Sequence, residues 1–181
     1  GLIVKYNPGL TIWEDTLGRD WTEMVSFNLP DLDVFEIDAD ALVQGREHVA
    51  SGRFGLAGAV ERGKLTQAEA DAALERITFT GSFDEAAAVD VVIEAVPEKL
   101  DLKIRVFRDL DRVAPAHTIL ASNTSGFPIA ALAAATDRPD QVIGWHWASP
   151  APVMKLAEII RTADTGDDTI VTISELATRC G

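Results

Sequence analysis

His146 and Glu158 are the two side chains of this sequence best placed in their local text to work as a pair. His146 sits in the apolar run Gly144-Trp145-His146-Trp147-Ala148. Ser149-Pro150-Ala151-Pro152 follows, and a second run from Val153 ends at Glu158. Each proline lacks an N–H donor and clashes with the preceding turn, so no single helix runs from His146 to Glu158. The chain must leave one element at the histidine and enter another before the glutamate. An imidazole and a carboxylate brought together in that way form a general base and the group that orients it. The same two residues also suit a half-buried histidine beside a turn and a surface glutamate, so the rest of the chain has to decide.

Strands alternating with helices supply the frame. Near the start, Leu2 to Val4 and Leu10 to Trp13 read as short strands around an Asn7-Pro8-Gly9 turn, and Thr16 to Phe27 as a helix. Leu32 to Ile37 reads as a strand, with Asp38 capping a helix that starts near Ala39 and runs to Arg62. Leu42, Val49, Leu56 and Val60 form its loose apolar face, Gly52, Gly55 and Gly58 weaken it, and Gly63 ends it. Thr66 and Glu69 have the spacing of a capping box, opening a helix to Arg76. Ile77 to Phe79 reads as a strand, and Ser82 to Glu85 offers a second capping box.

Val89 to Ile93 is nearly continuous β-branched text, as expected of a strand buried on both faces of a parallel sheet. Pro97 suits the first turn of a helix whose core face is Leu100, Ile104, Phe107 and Leu110. Thr118 to Ala121, Gln141 to Trp145 and Leu156 to Ile160 read as further strands. A last helix opens near Asp167 and Asp168 and presents Ile170, Ile173, Leu176, Ala177 and Cys180 on one face. The alternation predicts an α/β fold of the Rossmann-like, doubly wound kind, a mostly parallel sheet with helices on both faces. With 181 residues and no repeat or linker, residues 1–181 read as one domain.

Ligands of such a sheet gather at the carboxyl ends of its strands. Three of those ends carry unusual polar text: Glu94, Ala95, Val96, Pro97 and Glu98 with Lys103 beyond; Ser122-Asn123-Thr124-Ser125-Gly126; and His146. Taken singly, Glu98 suits a helix N-terminus and the second group an ordinary turn. Their recurrence along one rim points to a site. A further acid, Glu36, closes the strand at 32–37, where a dinucleotide-binding unit holds the adenosine ribose. Such a unit needs G-x-G-x-x-G some 20 residues earlier, yet that window reads Trp13-Glu14-Asp15-Thr16-Leu17-Gly18, with only the third glycine. Trp13 would crowd the pyrophosphate. Asp15 would add roughly 4 kcal/mol of repulsion at 4 Å and an effective dielectric near 20.

Composition narrows the partners. A net charge of −13, from 16 basic and 29 acidic side chains, with no basic run, argues against nucleic acid and anionic membranes. No apolar run approaches the roughly 20 residues of a membrane span. A single cysteine, Cys180, excludes an internal disulfide framework and fits a reducing compartment, so a soluble cytoplasmic protein is expected. No metal is expected.

In order and spacing, Val34-Phe35-Glu36-Ile37-Asp38, Glu61-Arg62-Gly63-Lys64-Leu65 and Val92 to Glu98 resemble the NAD-binding domain of the L-3-hydroxyacyl-CoA dehydrogenase family. Ala121 to Ser125 and the stretch around His146 continue the match. Thr16-Leu17-Gly18-Arg19 also falls where the family often has Thr-Met-Gly-Arg. The resemblance implies oxidation of the 3-hydroxyl of an acyl-CoA by NAD, in fatty-acid metabolism. It implies that His146 is the base, Glu158 its partner, Ser125 a hydrogen-bond donor to the reacting oxygen and Asn123 a neighbour of the nicotinamide. It implies cofactor contacts from Gly18, Glu36, Ala95, Val96, Glu98, Lys103, Asn123 and Ser125. Ser149 stands where the family usually has Asn, which weakens a contact expected there. Lys64 or Arg62 would meet coenzyme A phosphates.

The family's helical C-terminal domain, which closes the cleft and makes a homodimer, is absent from this sequence. Two other readings follow from the same text. One is a dehydrogenase of a small 3-hydroxy acid, such as a sugar acid or carnitine, although Pro152 to Leu156 looks closer to the acyl-CoA type. The other is a non-catalytic relative that has lost cofactor binding at the Trp13 window.

Overall fold

The computed structural model describes residues 5–7, 12–14, 39–52, 54–148 and 151–180. These fall into two compact units. In the first, helix and sheet follow from the burial of the β-branched runs; in the second, short helices gather around a small apolar cluster.

The second unit begins with strands β1 (Lys5–Asn7) and β2 (Ile12–Glu14), which pair antiparallel with Tyr6 opposite Trp13. β2 overlaps the strand expected at 10–13. The expected strands at 2–4 and 32–37 and the helix at 16–27 lie outside the described residues. The expected helix from 39 to 62 is two helices, α1 (Ala39–Ser51) and α2 (Leu56–Glu61). The break falls between two glycines because the chain folds back on itself there. A Cβ on Gly52 would stand 2.5 Å from the His48 carbonyl oxygen, and one on Gly55 would stand 2.7 Å from that of Val49. Gly63, at φ +66°, ends α2's extension in the left-handed region where glycine carries no steric cost.

Helix α3 (Gln67–Glu75) opens on the expected capping box: Glu69 N–H donates to Thr66 Oγ1, and Thr66 N–H donates to Glu69 Oε2. Val49, Leu56 and Ala70 form the buried cluster, with Val60, Leu65, Leu74, Ile77 and Phe79 against it. Leu42's side chain is outside the described set. Residues 77–79 are not a strand: Ile77 N–H bonds the Leu74 carbonyl, and the two apolar side chains are used for packing on helices.

The first unit opens with a 3₁₀ turn at Phe83–Ala88, where a capping box was expected. Its sheet has the order β3 (Val91–Glu94), β4 (Ile119–Ser122), β5 (Val142–Trp147), β6 (Ala157–Ile160). The first three strands are parallel and β6 is antiparallel to β5. Successive side chains go to opposite faces. Leu120 and Val142 enter the cluster under α4 (Leu100–Val113) and α5 (Ile129–Ala133), which contribute Phe107, Leu110, Ile129 and Leu132. Ile119, Ala121, Ile143 and Trp145 enter the opposite cluster with Ile173 of α7 (Asp167–Cys180). Helices therefore cover both faces, as the alternation predicted, and each fully buried large apolar side chain contributes about 1.5–3 kcal/mol.

α7 starts where expected and uses Ile170, Ile173, Leu176 and Ala177 as its inner face. α4 is turned slightly from its expected face. Val106 is buried and so is Lys103, while Leu100 and Ile104 are only half-buried. Pro97 precedes α4, whose N-cap is Lys99. In the sequence, the short helix α6 (Ala151–Met154), part of the second unit, stands between β5 and β6, so a change of element does separate His146 from Glu158.

Candidate active site at the strand ends

The register places the site. Glu94, Ser122, Gly144 and Ile160 are partners in one row across β3, β4, β5 and β6. The polar residues lie in this row or just beyond it. Glycine is required at 144 by close packing, because a Cβ there would meet Ile129 Cδ1 and Ile160 Cβ, each at 2.9 Å.

Two residues beyond Gly144, His146 faces Glu158 across the antiparallel ladder. The imidazole Nδ1 stands 2.6 Å from Glu158 Oε2. His146 is 20% exposed at its side chain and Glu158 59%. An Nδ1–H that donates to the carboxylate leaves Nε2 with its lone pair, and Nε2 has no protein partner among the described residues. The pair therefore has the form of a base held in one tautomer by a carboxylate.

Asn123, the second residue expected at the reaction centre, is tied to this strand. Its Oδ1 accepts the backbone N–H of Trp147 at 2.9 Å, so its Nδ2 is the end available for another acceptor. Ser125 is exposed, and its hydroxyl has no partner among the described residues.

A second cluster is buried where β3 and β4 end. Glu94 and Lys103 have 0% exposed side chains, and Lys103 Nζ lies 2.8 Å from Glu94 Oε1. Glu94 Oε1 also accepts Val96 N–H at 2.7 Å, and its Oε2 accepts the Ser122 hydroxyl at 2.6 Å. Lys103 Nζ donates to the Val96 carbonyl at 3.1 Å and stands 3.2 Å from Glu98 Oε2. That last contact is an ion pair without hydrogen-bond alignment, since Glu98 Oε2 is buried with no hydrogen-bond partner. Glu98 Oε1 accepts the Thr124 hydroxyl and the Gly126 N–H. Burial alone would raise the Glu98 pKa. The Thr124 hydroxyl, the Lys103 charge and the Gly126 N–H together outweigh it and hold the carboxyl below its ordinary value.

The ammonium of Lys103, which was expected to contact a cofactor, lies among Glu94, the Val96 carbonyl and Glu98. Glu94 and Ser122 were not assigned roles from the sequence. A carboxylate at the end of a β-branched strand, opposite a serine that ends the next strand, was the signal for them. Ala95 is exposed and Val96 half-buried at the same strand end. Gly18, Glu36 and Ser149 lie outside the described residues. Trp13 and Glu14 belong to strand β2, paired with β1, and the rest of the window from Trp13 to Gly18 lies outside the described residues.

A family model described as 3-hydroxyacyl-CoA dehydrogenase, NAD binding domain, matches residues 14–181. The chain belongs to that family. It is 45% identical over 126 residues to a probable 3-hydroxybutyryl-CoA dehydrogenase of Bacillus subtilis, covering 70% of this chain and 44% of the relative. It is 33% identical over 180 residues to the 3-hydroxyadipyl-CoA dehydrogenase of Escherichia coli K12, covering 99% of this chain and 37% of the relative. Among solved structures, the (S)-3-hydroxybutyryl-CoA dehydrogenase of Ralstonia eutropha superposes with a TM-score of 0.75 at 39% identity, over 80% of this chain and 50% of that one. The chain thus spans half or less of the length of these relatives.

Proposed function

We propose that this chain is the NAD-binding part of a 3-hydroxyacyl-CoA dehydrogenase, a single Rossmann-like domain over residues 1–181. Its helical partner domain would lie elsewhere in the polypeptide. The carrying observation is the 2.6 Å contact between His146 Nδ1 and Glu158 Oε2, with Nε2 unpartnered among the described residues.

The rim fits a dinucleotide in the chemistry of its groups. Glu98 Oε2 is a buried acceptor lacking a hydrogen-bond donor, as a ligand hydroxyl would supply. Asn123 Nδ2 is free to donate to a carbonyl, and small residues at Ala95, Ser125 and Gly126 leave room beside them. Ala95, Val96, Glu98, Asn123 and Ser125 would hold NAD. When bound, NAD supplies the hydride acceptor for C3 of the substrate.

The chain's own residues then do the proton work. His146 Nε2 takes the proton of the 3-hydroxyl. Glu158 keeps the imidazole in the tautomer that can accept it and stabilises the cation that results. Ser125 donates to the reacting oxygen.

The substrate is an acyl-CoA of fatty-acid metabolism, and the assembled enzyme is a cytoplasmic homodimer joined through its helical domain. No helix among the described residues is long and apolar enough to cross a membrane. The test is NADH formation from 3-hydroxybutyryl-CoA by the full-length protein. Free 3-hydroxybutyrate is the competing substrate and His146→Ala the comparison. A rate unchanged by that substitution rejects the mechanism, and preference for the free acid rejects the substrate class.

A further inference from the structure

We propose that Glu94 is a positioning residue, which acts through Lys103 to fix the Glu98 carboxylate and the turn at 122–127. This deepens the NAD-binding reading and rests on it.

Glu94 cannot touch a ligand itself. Its side chain is 0% exposed, and its two oxygens are engaged by Lys103 Nζ, Val96 N–H and the Ser122 hydroxyl. What it touches leads back to the rim in a closed ring. Ser122 Oγ, while donating to Glu94, accepts Thr124 N–H at 3.2 Å. Thr124 Oγ1 donates to Glu98 Oε1 and accepts Phe127 N–H at 3.1 Å. Glu98 Oε2 faces Lys103, and Lys103 returns to Glu94. One ring therefore joins the ends of β3 and β4 to the first turns of α4 and to the 122–127 turn.

The distances show how the ring divides the lysine. Lys103 Nζ lies 2.8 Å from Glu94 in hydrogen-bond geometry and 3.2 Å from Glu98 without it. A fully buried ammonium needs a carboxylate partner, and Glu94 is the partner that satisfies it. Without the Glu94 charge, Lys103 would turn its hydrogen bond onto Glu98 Oε2. That oxygen is the one acceptor of the ring left open, so its capture removes it from a ligand's hydroxyl. Glu94 thus keeps Lys103 inward and Glu98 Oε2 available. This explains why a second carboxylate is buried beside a single lysine.

The experiment uses the full-length protein with Glu94→Gln, Lys103→Met, the double variant and Ser122→Ala. NADH affinity is read by fluorescence titration, and the unfolding of each apo variant by denaturant. The expected cost of Glu94→Gln is about a tenfold weaker NADH affinity, the scale of one hydrogen bond to a charged group. The loss in kcat/KM for NAD should be carried by KM. In the Lys103→Met background the same change should cost less than about threefold, because the route through lysine is gone.

Costs that simply add in this cycle overturn the proposal, as does wild-type NADH affinity in Glu94→Gln. Should Glu94→Gln fail to fold, Ser122→Ala leaves the ion pair in place and opens the ring. It should weaken NADH about threefold, and wild-type affinity there also overturns the proposal. A wild-type protein that does not bind NADH at all brings down the cofactor reading together with this inference. Tight wild-type binding with unaffected variants brings down this inference alone.

Discussion

Glu158 Oε2 lies 2.6 Å from His146 Nδ1, across an antiparallel ladder in which the two residues are direct register partners. The sheet itself, and not a flexible loop, sets the base and its carboxylate face to face. Changing either side chain should therefore alter the chemistry more than the fold. In the full-length protein, His146→Ala should lower kcat about a thousandfold, within the usual range for a lost general base. Glu158→Gln keeps the shape but not the charge, and should lower kcat by up to about 10⁴-fold. Steady-state rates with 3-hydroxybutyryl-CoA, alongside denaturation curves that remain near wild type, check both values. A large loss of stability in Glu158→Gln would mean that the pair serves the fold.

The acid side of the stability profile should carry the signature of Glu98. Its carboxyl is held below the ordinary value of 4.5, burial being outweighed by Thr124, Lys103 and Gly126. A carboxylate depressed in the folded state contributes stability above its unfolded pKa, and that stability is lost as pH falls through the folded value. The protein should therefore lose stability below about pH 4.5, and Glu98→Gln should flatten that fall while lowering stability near neutrality. Urea midpoints across the acid range are the measurement. An acid limb unchanged in Glu98→Gln would assign it to other carboxylates.

Much of this was legible because pattern and packing agree. The β-branched run at 89–93 could satisfy only a strand covered on both faces, and the Ile170–Ala177 spacing only a helix with one buried side. The proline pair announced a change of element between His146 and Glu158. Period does not say which polar residue is pulled inward. The pairing of Lys103 with Glu94 was not visible, because the two are nine residues apart and meet only after the strand and helix pack. The direction of β6 had a signal in the connection from 148 to 156, too short for a parallel crossover. The break at Gly52–Gly55 depends on carbonyl positions that no propensity encodes. The strand expected at 77–79 failed because its apolar residues found helices to pack on.

Arg138 should be a structural pin at the far end of α4. Its guanidinium bonds Asp111 Oδ1 at 2.6 Å and the carbonyls of Asp111 and Ala114 at 2.7 and 3.2 Å, with the Pro115 carbonyl also engaged. These are carbonyls that the end of a helix leaves without partners. Arg138→Ala strands them together with the Asp111 carboxylate, and should destabilise by about 2–4 kcal/mol. Arg138→Lys should recover only part, since a point charge cannot serve several acceptors at once. Equal stability of the alanine and wild-type proteins in urea would show that water replaces the guanidinium.

Gly144 links packing to the site. A Cβ at this position would meet both Ile129 Cδ1 and Ile160 Cβ at 2.9 Å, inside the range where something must move. Gly144→Ala should cost about 1–3 kcal/mol through overpacking. Ile129→Val removes the Cδ1 atom, so adding it should restore part of that stability. The Ile160 contact involves a Cβ on the neighbouring strand and cannot yield so easily. It should instead push β6 away from β5 next to the His146–Glu158 pair. The double variant should accordingly recover stability more fully than kcat in the full-length protein. Complete recovery of both would place all of the strain on the helix side of the sheet and none at the pair.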